Sequence, residues 1–127
     1  MKTAELDGVL LDYWTARADG RTAKIVRPGE KINRMMVDCD TCIALTPGYA
    51  KWWQPFHVYW GSAGPIIERE KISIERIGDD ATGDRTAYAY TIDAPLDGQH
   101  ADTALIAAMR AFVSSKFGDE VPDEVQS

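Results

Sequence analysis

The sequence predicts a small α+β domain in which an antiparallel sheet packs against N- and C-terminal helices. Three observations carry this expectation. A capped, continuous apolar stripe marks a helix near the C-terminus, a weaker copy of that pattern marks one near the N-terminus, and two alternating segments between them have strand period. A chain of 127 residues is most simply one domain, residues 1–127. At that length roughly two-thirds of the unfolded surface is buried on folding, enough for a core without staples.

The N-terminal helix is expected from Asp7 to Ala18. Asp7 is a good cap, Gly20 lies just past the end, and Leu6, Val9, Leu10, Tyr13 and Trp14 recur at three- and four-residue spacing, which predicts one buried face. From Arg21 to Gln54 the runs are short. Ala23–Arg27 and Arg34–Val37, on either side of Pro28-Gly29, are strand candidates, as is Cys42–Leu45, closed by a turn at Thr46-Pro47-Gly48. Periodicity alone does not separate strand from buried coil over such lengths.

Later segments read more clearly. Ile72 and Ile74 alternate with Ser73 and Glu75, and Tyr88, Tyr90 and Ile92 alternate with Ala87, Ala89 and Thr91. Each pattern suits a half-buried strand, and the Gly- and Asp-rich stretch between them suits a hairpin loop. In the last helix Thr103 is the cap, Asp102 adds charge at the positive end of the dipole, and Gly118 stops the run. Leu105, Ile106, Met109, Phe112, Val113 and Phe117 form its stripe. The sheet face bearing the tyrosines is the expected surface beneath it.

Composition excludes several classes. The net charge of −6 is concentrated: Asp119, Glu120, Asp123 and Glu124 supply four charges in an acidic tail (119–127), leaving −2 on residues 1–117. A nearly neutral body argues against broad nucleic-acid binding, which needs clustered Lys and Arg against phosphates. No stretch approaches the roughly 20 apolar residues of a membrane span. The start, MKTAELDG, has no signal-peptide apolar run, so the cytoplasm is the expected compartment.

Few residues carry chemistry. Cys39 and Cys42 form one C-x-x-C flanked by acids, which raise rather than lower a thiol pKa. Zinc would need four ligands, with only His57 and His100 as further nitrogen donors. Two reduced cysteines in a turn or beside a strand is the favoured reading. No catalytic, metal or cofactor constellation is expected. Trp60–Arg69 reads as a rigid loop leading into a strand: Gly61 and Gly64 permit unusual backbone angles and Pro65 fixes its own φ and biases Gly64 towards an extended form, although Pro65 could also open a short helical turn. On a strand Glu68 and Glu70 share one face, with Arg69 on the other; paired carboxylates can do acid–base or metal work, but a solvated strand edge is the favoured reading. Trp52 and Trp53, with Phe56, Tyr59 and Trp60, form an aromatic-rich segment that suits packing or a protein interface better than base stacking. Arg110 is the charged residue inside the C-terminal stripe. It either pairs with a carboxylate such as Glu68 or extends to water.

MKTAELDGVLLDYWTARADG, WGSAGPIIEREKISI and LIAAMRAFVSSKFGDEVPDE, about half the chain, resemble the phage NinX-like proteins. These small phage and prophage proteins are functionally uncharacterised, so the resemblance implies phage origin and a bacterial host cell but no activity. Residues 28–59 depart from the family pattern: many relatives carry a proline, small polar residues and an acid before the tryptophan, where this chain has Pro55-Phe56-His57-Val58-Tyr59-Trp60. Whatever the polar version binds, this version is expected to bind differently or not at all. The expected function is partner binding, to a host or phage protein or to itself. The alternative is a small-molecule or nucleotide site, possibly enzymatic, near Trp60, Glu68, Glu70 and Arg110, in a concave pocket against the C-terminal helix. Weak single-strand binding is a third reading.

Overall fold

A computed structural model describes residues 1–32, 35–46, 49–51, 55–79, 84–92 and 98–122. The class is α+β, and the strands divide into two three-stranded antiparallel sheets plus a two-residue ladder. Helix α1 is Gly8–Ala18, after a single 3-10 turn at Thr3–Glu5. Strands β1 (Thr22–Val26), β4 (Thr41–Thr46) and β5 (Tyr49–Lys51) form the first sheet in the order β1-β4-β5, while β2 (Lys31–Ile32) pairs with β3 (Met35–Met36). Helix α2 is Trp60–Arg69. Strands β6 (Ser73–Asp79), β7 (Asp84–Tyr90) and β8 (Gln99–Ala101) form the second sheet in that order, and α3 is Ala104–Phe117. Residues 47, 48, 52, 53 and 80–83, where the sequence places a turn, the Trp52-Trp53 pair and the tip of the hairpin, lie outside the described residues.

Each sheet has its own helix. α1 packs on β1 and β4, α3 packs on β6, β7 and β8, and the two helices pack on each other between the sheets. α1 is therefore not buried along one face only. From Leu11 to Ala16 every residue is buried, whereas Val9 and Leu10 are half-buried. Asp7 caps the helix with a side chain that accepts from Gly8 N at 2.7 Å.

The tyrosine face is the correction in the second sheet. Ala87 and Ala89 are fully buried, while Tyr88 and Tyr90 are only partly so. Register places Ile74 opposite Ala89 and Arg76 opposite Ala87, so these four share the inner face with Ala101. Glu75, Tyr88, Tyr90 and His100 lie on the outer face, where Tyr88 and His100 stack at 4.7 Å. Alternation sets the period of a strand but not which side faces the core. Small residues decide it here: Ala87 and Ala89 meet a helix that buries Ala104, Ala107, Ala108 and Ala111, and alanine against alanine lets helix and sheet approach closely.

α3 begins where Thr103 Oγ1 accepts from Ile106 N at 3.2 Å and ends at Gly118, whose φ of 84° suits glycine. Leu105, Met109, Phe112 and Val113 of its stripe are buried, and Phe117 is 42% exposed. Arg110 pairs with no carboxylate among the described residues. Its Nε donates to Leu6 O at 2.7 Å and its Nη1 to His100 O at 3.0 Å, tying the N-terminal segment and β8 to the helix. The start of the acidic tail is docked as well: Thr3 N donates to Asp119 O, Val121 N donates to Met1 O, and Val121 is buried.

Candidate functional site

The segment read as a loop and strand edge is helix α2. Locally the sequence opposes it, because Pro65 offers no N–H to Gly61 O and disfavours helical backbone in the residue before it. Glycine at 64 removes the side chain that would crowd the proline ring. The tertiary reward lies in Ala63 and Ile66, three apart and buried in the core against α3. The helix closes with Ile72 N donating to Ile67 O and Lys71 N donating to Glu68 O, while Lys71 adopts a left-handed φ of 53°. This paired C-terminal motif also buries Ile72.

Glu68 and Glu70 therefore do not share a strand face. Glu68 is exposed, and Glu70 belongs to an ion-pair group with Lys116 at 3.3 Å and Arg69 at 3.8 Å. Arg69 also reaches Asp19 at 2.7 Å, linking α2 to the end of α1. Arg69 and Lys116 both lie over the Phe112 ring. Arg110, as described, serves backbone carbonyls. The structure brings none of these three to Trp60, which lies at the other end of α2.

What meets Trp60 is a different set. A cavity of about 280 Å³ lies between the first turns of α2 and α3. His57, Val58 and Trp60 line one side, Arg76 of β6 another, and Thr103, Ala104 and Leu105 the third. Of Trp60, Glu68, Glu70 and Arg110, expected together in a pocket against the C-terminal helix, this cavity holds Trp60 alone.

Positioning comes from Asp12 and His57, which no local pattern connects. Asp12 is 4% exposed on α1. His57 N donates to its Oδ1 at 2.9 Å, and His57 Nδ1 lies 2.8 Å from Oδ1 and 2.9 Å from Oδ2. Burial pushes the Asp12 carboxyl above its ordinary value, against the opposing pull of His57. An ionised carboxylate only accepts, so it holds the proton on Nδ1 and leaves Nε2 as the ring nitrogen available to solvent or a ligand. The signal in the sequence is Asp12 itself, the one acid inside helix α1, between the apolar Leu11 and Tyr13.

Around this pair the chain makes a fixed turn. Phe56 is fully buried with the Arg21 guanidinium over its ring at 5.8 Å, and Val58 N and Tyr59 N both donate to Pro55 O. Val58, Tyr59 and Trp60 then emerge 62%, 58% and 54% exposed. Glycine at 61 leaves room for the Tyr59 ring, whose Cζ would lie 2.9 Å from any Cβ there.

The cysteines lie apart from this surface. Cys39 is exposed before β4 and Cys42 is buried within it. Burial, reinforced by the Asp12 charge, pushes the Cys42 thiol up to about 12, so it stays protonated and is a poor nucleophile and metal ligand. Among the described residues no group of three or more His, Cys, Asp or Glu is placed to hold a metal ion, and no helix is long and apolar enough to cross a membrane.

No curated protein matches the chain. A family model does: the one described as Bacteriophage P22, NinX, matches residues 2–116. That match spans both helices of the core, both sheets and the Trp60 cavity, so the chain belongs to the P22 NinX family of phage proteins.

Proposed function

We propose that this phage accessory protein acts by binding a protein partner through the surface made by Val58, Tyr59 and Trp60. The observation that carries the reading is three consecutive large side chains, each more than half exposed, on a turn anchored by Phe56 and by the Asp12–His57 contact. Tryptophan and tyrosine dominate binding energies at interfaces, and a surface fixed in advance loses little entropy on docking. The partner is a host or phage protein, or a second copy of the chain.

Affinity capture from phage-infected cells tests this, with the wild type beside a Tyr59→Ser/Trp60→Ser double variant. Both side chains are exposed, so the fold should tolerate the changes within about 1 kcal/mol. The expected outcome is a protein recovered by the wild type and lost from the variant, or self-association lost in the same way on sizing columns. Identical recovery and identical size for both chains would remove the proposal. A second reading, a small-molecule site at the start of α2, is favoured by the cavity beside that surface.

A further inference from the structure

We propose that the cavity between the first turns of α2 and α3 binds a small molecule through an oxyanion head group, a phosphate monoester or a carboxylate. This rests on the small-molecule reading, and the cavity shares Val58 and Trp60 with the protein-partner surface.

Two independent features of the cavity wall favour negative charge. The first is Arg76. It lies on the inner face of β6, in register with Ala87 and through it with Ala101. Those two side chains end at Cβ, which leaves the guanidinium open space across the sheet. Among the described residues Arg76 has neither an ion pair nor a hydrogen bond. Unlike Arg21, Arg27 and Arg69, each matched to an aspartate, it has no carboxylate partner among the described residues. A guanidinium presents a planar fork that fits two oxygens of a phosphate or carboxylate.

The second feature is the start of α3. Thr103 spends its side chain on Ile106 N, and no hydrogen bond from the amides of Ala104 and Leu105 occurs among the described residues. Both residues line the cavity, at the positive end of a 14-residue helix. Asp102 precedes the cap on exposed backbone and Glu75 faces the other side of the sheet, so neither carboxylate lines the cavity.

The opposite wall is apolar. Trp60 and Val58 offer a ring face and a branched side chain to whatever the head group carries. At about 280 Å³ the space sits at the lower limit for ligand sites. It is open to solvent on one side and suits a head group with one small planar body.

The test is a titration of the full chain with inorganic phosphate, adenosine monophosphate, benzoate and a short oligothymidylate, all at one ionic strength. The Trp60 indole and the Ala104 and Leu105 amides are followed by NMR. Saturable shifts of these signals with phosphate or the mononucleotide assign a phosphate ligand, and shifts with benzoate alone assign a carboxylate. In either case Arg76→Gln should weaken binding about tenfold or more, while Lys31→Gln, an exposed lysine on β2, changes it less than about twofold. The proposal is overturned by no saturable shift up to about 10 mM, by equal losses in the two variants, or by binding of the oligonucleotide alone. Arg76 is exposed, so a folded Arg76→Gln protein is expected, and retained backbone spectra confirm it. Loss of partner capture in the Tyr59→Ser/Trp60→Ser protein, with these shifts absent from the wild type, would leave the surface reading standing and this one gone.

Discussion

Phe56→Ala is expected to lower the stability of the fold by about 3–5 kcal/mol, the range for removing a fully buried phenylalanine. Phe56 is 0% exposed and belongs to the main core cluster with Leu11, Ala63 and Ile66. It is the apolar anchor between β5 and α2. Truncation leaves a cavity beneath the turn and strips the Arg21 guanidinium of the ring it covers. Two-state urea denaturation measures the loss. A cost below about 1 kcal/mol would mean that Phe56 is not seated in the core, since only surface changes are so mild.

Asp12 should show the second large effect. Asp12→Ala removes the acceptor of His57 N–H and the partner of His57 Nδ1. Hydrogen bonds to a charged group are worth about 1.5–3 kcal/mol, and His57 keeps some access to water, so a loss of about 2–3 kcal/mol at neutral pH is expected. Asp12→Asn retains an acceptor and should cost less.

The pH dependence has a definite sign. The Asp12 carboxyl is raised above its ordinary 3.8, burial being the largest cause. The folded state therefore binds this proton more tightly than the unfolded state does, and stability falls as pH rises through the window. Asp12's titration thus contributes most below pH 3.8, and that contribution is lost as pH climbs through the folded value. The difference in stability between wild type and Asp12→Asn should decline from about pH 3 upward. A difference that grows over the same range would show that the His57 contacts outweigh burial.

Much of this architecture is readable from local pattern. Thr103, the stripe from Leu105 to Phe117 and Gly118 mark α3 almost to the residue, and Asp7 and Gly20 do the same for α1. The β6–β7 hairpin follows from alternation on both sides of a Gly- and Asp-rich stretch. Helix α2 is not readable in this way. Gly61, Gly64 and Pro65 all count against it, and the burial that overrides them comes from Ala63 and Ile66 meeting α3, some 40 residues away in sequence.

The site divides similarly. Trp60 stands out as an aromatic at the start of a distinctive string, and it does line the cavity. A strand would put Glu68 and Glu70 on one face beside it, with Arg110 facing them from the C-terminal helix. In the helix the two acids fall near its far end, and Arg110 is occupied by Leu6 O and His100 O. Trp52 and Trp53 lie outside the described residues. Asp12, His57 and Arg76 have no sequence signature as a group, since 45 residues separate Asp12 from His57 and only the tertiary fold brings Arg76 to them.

Asp12 holds the turn that presents Val58, Tyr59 and Trp60. Hydrogen exchange at the His57 amide reports this directly, because that N–H donates to a carboxylate on another element rather than to its own backbone. The prediction is slow exchange in the wild type, accelerated at least about tenfold in Asp12→Ala under conditions where the rest of α1 and α3 stays protected. Exchange at the unfolded-chain rate in the wild type, or equal rates in both proteins, would contradict it.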